Sequence, residues 1–456
     1  MIAMFKEMLG FLRQALGHRA YLGAFTSSMF LLATSIILQI VLVPLYLSHL
    51  STYQFGILMM LLSFVNFAVI GIAWMSGGSL RLLGEYAGLG RDDDFRRAFG
   101  LIQLIYAGYG VVLAVIIALA AILLPRLLWE KVAPADMDAV RHAMIVTGVY
   151  MIAFYIASVD RLALTARKRQ GIANVAQIFG LIGAGVATWL FVTYGAGIGG
   201  IMLAQIVGAV ISFAVTRVYL LREMPKLHPV VPRKSDMPML GRLGGRTGLG
   251  FFIHGALILL LSSDTVLIGL VGGPLAAAQF YLVWKIGEVI VQLNSRLVDP
   301  LSPYLIQFDV RDNQAGIKSI ATHGYLVTVI IALVSGLLYA MFGYKLVSLW
   351  VGGVHAPVGV MNYWLAGGAI VWLSVARLPM IVAGARLTLR QLNVAGSFEL
   401  FGKWIVTLIL FPRFEFIALL IGINAAHIFG GWYLYYQLLA IPGRQQGKVA
   451  AATKEM

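Results

Sequence analysis

Residues Ala20–Leu80, AYLGAFTSSMFLLATSIILQIVLVPLYLSHLSTYQFGILMMLLSFVNFAVIGIAWMSGGSL, run for 61 residues without one Asp, Glu, Lys or Arg. A helix crossing a bilayer needs about 20 apolar residues. The stretch therefore reads as two spans joined by a tight turn at Ser48–Thr52. Gln170–Thr216 reads the same way, turning at Tyr194–Gly199. Single spans are expected at 98–124, 142–159, 247–271, 276–303, 321–344, 361–383, 392–411 and 416–441, which makes twelve helices. Over all 456 residues, 60% are hydrophobic, only 12% are charged, and the mean hydropathy is +0.88. Soluble domains carry about 25% charged residues, so a water-soluble enzyme of this size is excluded. The chain reads as an all-α polytopic membrane protein. It has no cysteine, which rules out disulfides, thiolate metal sites and cysteine nucleophiles.

The net charge of +15 suggests nucleic acid until its positions are plotted. With the N-terminus inside, cytoplasmic segments hold 24 of the 34 basic residues, as the positive-inside rule requires. Both termini then face the cytoplasm. The basic excess is topological, and no basic stripe with interleaved aromatics remains for nucleic acid. Residues 1–19 place Phe5, Leu9, Leu12 and Leu16 on one face and read as an interfacial helix rather than a cleaved signal.

The longest cytoplasmic loop, 222–246, carries four prolines and divides the chain into a bundle at 20–221 and another at 247–441, with a tail at 442–456. Short similarities recur at a common offset. Tyr53-Gln-Phe-Gly56 opens the second helix and Ala278-Gln-Phe-Tyr281 the eighth. Arg169-Gln170 with Asn174 precedes the fifth, and Arg390-Gln391 with Asn393 the eleventh. Six helices per half preserve the in/out sense, the pattern of parallel repeats about an axis along the membrane normal.

Tyr46-Leu-Ser-His-Leu-Ser-Thr-Tyr-Gln-Phe-Gly56 and Trp74-Met-Ser-Gly-Gly-Ser-Leu-Arg81 resemble the opening of polysaccharide-export flippases. These belong to the multidrug/oligosaccharidyl-lipid/polysaccharide (MOP) exporter superfamily. Ser263-Asp-Thr-Val-Leu-Ile-Gly269 and Gln279-Phe-Tyr-Leu-Val-Trp-Lys285 are similar to that family's seventh and eighth helices. The resemblance implies two six-helix bundles forming a V around a central cavity in the bacterial inner membrane. It also implies transfer of a lipid-linked oligosaccharide, carried on a polyprenyl pyrophosphate, from the inner to the outer leaflet. The lipid II flippases of the superfamily carry two further helices and basic residues in the first; this chain has neither feature.

Charges inside spans carry the chemistry, because each costs about 2.5–3.5 kcal/mol at a helix centre. The first half has almost none. The second has Asp264, Lys285, Glu288, Arg296, Asp299, Arg377, Glu399 and Lys403, which sum to zero. Facing lipid they would cost on the order of 20–28 kcal/mol, above a typical stability of about 5–15 kcal/mol. They must face a cavity or one another. At about 100° per residue, Lys285, Glu288, Gln292, Arg296 and Asp299 share a sector of roughly 80°, a polar face that reads as cavity-lining. Hairpin geometry places Asp264 level with Lys285, and Arg377 level with Glu399. Glu399 can instead pair with Lys403 one turn along. Pro44, Pro379 and the glycines at 248, 250, 255 and 269 are candidate hinges. His254 and His427 read as satisfied interior histidines.

The expected function is a flippase for surface-polysaccharide export. Lys285, Gln292, Arg296, Arg377 and Lys403, with Glu288, are its substrate-binding candidates, while Asp264, Glu399 and Asp299 are coupling or charge-pair candidates. No cofactor is expected beyond coupling to a proton or sodium gradient. The expected partners are the lipid substrate, the bilayer and the glycan polymerase and export machinery, with the flippase itself a monomer. A cation-coupled multidrug exporter of the same superfamily is the alternative. Such exporters often place a coupling carboxylate in the first helix, where this chain has only Thr34, Ser35 and Gln39. A non-transporting scaffold for glycan synthesis is the third reading. An enzyme is not expected: the longest outer loop, Pro125–Arg141, is too short for an acceptor site, and no phosphate-cradling glycine loop is present.

Overall fold

The computed structural model describes residues 19–71, 73–127, 136–225, 227, 239, 264–301, 305, 308–309, 313–386 and 388–440. The expected interfacial helix (except Arg19), the tail, most of the 222–246 loop, and Gly248, Gly250, His254 and Gly255 lie outside these residues. The described residues form helices and the turns between them. Ten of the helices are long and apolar enough to cross a membrane. A helix satisfies its backbone hydrogen bonds within itself, as hydrocarbon demands.

Twelve such helices were expected. The second predicted span corresponds to α2 (Thr52–Gly71) and α3 (Ala73–Gly88), of which only Thr52–Val65 registers as an apolar helix, and a short one. The seventh is described only from Asp264 onward. There it meets the eighth across one non-helical residue, Gly273, so that the two count as one stretch, Asp264–Val298.

The chain divides into two compact units, Met1–Leu249 and Gly250–Met456. The first holds α1 (Arg19–His49), α2, α3, α4 (Asp92–Leu127), α5 (Met137–Ala166), α6 (Gln170–Thr193) and α7 (Gly197–Glu223). The α1–α2 turn is set by a capping box. The Gln54 amide donates to Ser51 Oγ, and the Ser51 amide donates to Gln54 Oε1. Gln54 Nε2 also donates to Asp136 Oδ1 at 2.8 Å, tying this turn to the start of α5. Three aspartates open α4, where the helix dipole favours anions. Helices α6 and α7 meet at glycines: a Cβ on Gly180 would sit 2.7 Å from the Gly208 carbonyl oxygen, and one on Gly208 would sit 2.6 Å from that of Gly180. Small residues allow this approach, which is the main source of helix affinity where lipid is as apolar as the side chains. Asn174 then ties α6 to α1, donating to Ser27 and Ser28 at 3.0 and 2.8 Å.

The second unit holds α8 (Asp264–Val298), α9 (Gln314–Ser319), α10 (Tyr325–Val351), α11 (Val360–Ala385), α12 (Leu389–Phe414), α13 (Ile417–Ala426) and α14 (Trp432–Gln437). Helix α8 is interrupted at Gly273, whose φ of 83° is open to glycine, and Pro274 follows without an amide hydrogen. The contacts show that the chain reverses there. Asp264 meets Lys403 and Gly272 approaches Phe411, so 264–272 runs in the sense of α12. Gly287 lies against Ile370 and Asn294 against Ser374, so 274–298 runs in the sense of α11. Helices α11 and α12 are joined by a short turn and run oppositely. The seventh and eighth predicted spans are thus antiparallel, turning where the sequence placed the turn. Helices α10 and α11 repeat the reciprocal glycine approach, Gly336 with Gly367. Two single π-helical turns, Ile320–Gly324 and His427–Gly431, interrupt the ninth and twelfth predicted spans.

Candidate functional site

The eight intramembrane charges of the second unit sort into three groups, with partners that differ from those expected from hairpin geometry. The first group is a row on α8. Lys285 Nζ donates to Glu288 Oε2 at 2.8 Å, and Gln292 Nε2 donates to Glu288 Oε1 at 3.1 Å. Lys285 also sits over the Tyr281 ring at 5.5 Å. The row is partly open: the Glu288 side chain is 40% exposed and that of Lys285 12%. Lys285 therefore pairs three residues along its own helix, not with Asp264 across the hairpin. Residues three apart on a helix are neighbours, and this contact needs no tertiary arrangement.

The second group lies where α8 ends. Asp299 Oδ1 accepts from Arg377 Nε and Nη2 at 2.9 and 2.7 Å, and Arg296 stands 3.9 Å from Asp299. Arg377 is thus held by Asp299 and not by Glu399, because α8 and α11 run side by side and bring these ends level. Between the two groups, Asn294 Nδ2 donates to Ser335 on α10 and Ser374 on α11, at 2.9 and 3.0 Å. Sequence reading passed over this three-helix clasp, although Asn294 is a second amide on the helix that carries Gln292.

The third group is buried. Lys403 Nζ lies 2.5 Å from Asp264 Oδ1, with the lysine side chain 2% exposed. One turn back along α12, Glu399 accepts a hydrogen bond from Tyr435 Oη at 2.7 Å and faces His427 Nε2 at 3.6 Å. Lys403 therefore takes Asp264 as its ion-pair partner, and Glu399 takes His427, from the π turn after α13, and Tyr435, from α14. A carboxylate this deep costs several kcal/mol to desolvate unless it is paired. Both α12 charges have partners from other helices.

The first unit is not empty of charge. Asp160 on α5 is fully buried and pairs with Arg217 on α7 at 2.8 Å, while Arg217 stacks over Phe99 and Phe213. Sequence reading ended the fourth span at residue 159 because Asp160 and Arg161 follow, yet α5 continues to Ala166. The signal that could have found this pair is Arg217 itself, a charge at a span end that needs a partner. Arg161 donates to Ser158 Oγ at 2.7 Å and covers the Phe154 ring. Of the candidate hinges, Pro44 lies inside α1, Pro379 inside α11 and Gly269 inside α8. Among the described residues no group of three His, Asp or Glu side chains is arranged to hold a metal ion.

Neither a family model nor a curated protein matches the sequence. Solved structures do. The chain is similar to an inward-facing multidrug resistance MATE family transporter of the MOP superfamily, with 14% identity and a TM-score of 0.66 over 90% of this chain and 94% of that one. It is similar to lipid II flippase MurJ in an inward closed conformation, with 13% identity and a TM-score of 0.68 over 91% and 87%. A mutant of the Vibrio cholerae MATE transporter VcmN gives 14% identity and a TM-score of 0.60 over 91% and 95%. At such identities the likeness is one of fold. The protein is a multi-pass membrane protein with the fold of the MOP-superfamily transporters.

Proposed function

We propose that the protein is a flippase that moves a polyprenyl-pyrophosphate-linked oligosaccharide across the bacterial inner membrane by alternating access, for surface-polysaccharide export. The observation that carries this reading is the Lys285–Glu288–Gln292 row. A cation, a carboxylate and an amide stand on successive turns of a membrane helix and stay partly open, which fits a cavity wall better than hydrocarbon. Lysine can hold a pyrophosphate in a site of low dielectric. The carboxylate and amide can bond sugar hydroxyls. Arg296 and Arg377, tied to Asp299, extend the row toward the end of the span that carries the cytoplasmic basic residues. Two six-helix bundles around a central cavity, hinged in part at Pro44 and Pro379, with both termini cytoplasmic, complete the reading. The fold likeness to MurJ, a flippase of lipid II, supports it.

A second reading, a cation-coupled multidrug exporter, is favoured by the likeness to MATE transporters. One experiment separates the two. Depletion of the protein, with mass spectrometry of membrane polyprenyl-linked oligosaccharides, is expected to show one completed repeat unit accumulating. An unchanged pool with surface glycan intact would overturn the flippase reading, and altered drug accumulation would then favour the exporter. Surface glycan intact in a strain carrying Glu288→Gln and Lys403→Met together would favour a scaffold.

A further inference from the structure

We propose that Glu399 and His427 form a buried binding site for one exchangeable proton, closed by Tyr435 and Trp372. The inference rests on the geometry of the second unit and not on what the protein carries. Glu399, His427 and Tyr435 are all at least nine-tenths buried. Tyr435 Oη occupies Glu399 Oε2 at 2.7 Å, while Oε1 faces His427 Nε2 at 3.6 Å, beyond hydrogen-bond reach. Neither ring nitrogen of His427 makes a hydrogen bond among the described residues. A buried imidazole without one forfeits the pairing that normally offsets its desolvation. The ring is held in place by stacking instead: Trp372 lies parallel at 5.8 Å and Tyr435 stacks at 6.1 Å.

Among the described residues, the charges around the site leave room for one proton. Helix α12 contributes Glu399 and Lys403, and α8 contributes Asp264, which pairs with Lys403. From α11 the neighbour is Trp372, and the nearest charge on that helix, Arg377, is turned to Asp299. From the π turn that follows α13 comes His427, and from α14 comes Tyr435. Two carboxylates and one ammonium leave one negative charge in a desolvated cluster. A single proton, shared by Glu399 and His427, brings the cluster to neutrality.

The backbone offers the movement that proton binding calls for. His427 opens the π-helical turn His427–Gly431, and Gly430 within it has a φ of 143°, a conformation other residues rarely adopt. Single π turns inside helices recur at functional sites. Protonated imidazole is drawn onto the carboxylate, closing the 3.6 Å gap. Loss of the proton releases it.

Trp372 reports the state of the site directly, because an imidazolium stacked on an indole quenches its fluorescence and a neutral imidazole does so far less. Intact protein in detergent is titrated around the ordinary histidine value of about 6.5. Tryptophan emission is expected to fall in one step as the pH is lowered, and His427→Gln to abolish that step. Glu399→Gln removes the anion that favours the imidazolium, so the midpoint is expected to move down by about 1–3 pH units. If His427→Gln does not fold, Trp372→Phe serves in its place and is expected to remove the same pH-dependent component. A titration unchanged in His427→Gln or Trp372→Phe, or a midpoint unmoved in Glu399→Gln, overturns the proposal.

Discussion

The two units close their helix pairs in the same way and treat charge differently. In the first, Gly180 and Gly208 bring α6 and α7 to backbone contact; in the second, Gly336 and Gly367 do so for α10 and α11. Yet among the described residues the first unit buries one ion pair, Asp160–Arg217, beside a neutral Asn174–serine clasp. The second carries an open row, a triad at a helix end, and a deep cluster of five titratable groups, Asp264, Glu399, Lys403, His427 and Tyr435. Packing glue is needed wherever helices must associate without a hydrophobic drive between them. Intramembrane charge is costly and must be paired or face a polar cavity. Among the described residues the second unit therefore shelters most of the intramembrane charge, and on the proposed function it is the unit that handles the substrate.

That contrast can be broken by measurements of stability and transport. The largest effect is expected from removing one partner of a buried pair. Lys403→Met strands Asp264 and should cost about 3–5 kcal/mol in unfolding free energy, with Asp264→Asn in the same chain recovering most of the loss. The same size of effect is expected for Arg217→Met, which strands Asp160. A much smaller loss there would show that the first unit's pair is better solvated than its burial implies.

Bulk at a helix contact should cost somewhat less. Gly208→Val and Gly367→Val each force a backbone approach apart and are expected to cost about 1–3 kcal/mol, read by thermal unfolding in detergent. Equal losses in the two units would support shared glue. A loss confined to one would break the parallel.

Asn294→Ala removes the clasp among α8, α10 and α11. Interhelical hydrogen bonds of this kind average about 0.6 kcal/mol and reach about 1.7 kcal/mol, and a value in that range is expected by the same assay. The smallest stability effect, about 0–1 kcal/mol, is expected for Glu288→Gln, whose carboxylate is partly open. Export of surface glycan should nevertheless fall sharply in that variant. Stability lost with transport retained would move the α8 row from the functional to the structural side of the comparison.

Much of this was legible in the chain itself. The α1–α2 and α6–α7 turns, the reversal at Gly273–Pro274 and the run of charge in the second half all follow from spacing and composition. Tyr53-Gln-Phe-Gly56 turned out to carry a capping residue, Gln54, so part of that motif is a local fold signal. What misled was the habit of ending a span at its first charge. It cut α5 short at Asp160, because a single strand of sequence does not reveal that Arg217 waits on α7.

The pairings show the same division. Lys285 and Glu288 are three residues apart, and their contact is written into the helical repeat. Asp264–Lys403, Asp299–Arg377 and Glu399–His427 depend on which helices lie side by side and how each is rotated. By itself the sequence determined that the chain is built of membrane-crossing helices, where several of their turns fall and that the charges among them must be sheltered, because the bilayer sets helix length and penalises every exposed ion. Only the tertiary structure decided which charge shelters which, because an ion pair forms between the side chains that packing brings within about 4 Å, and depth along separate helices does not specify that neighbour.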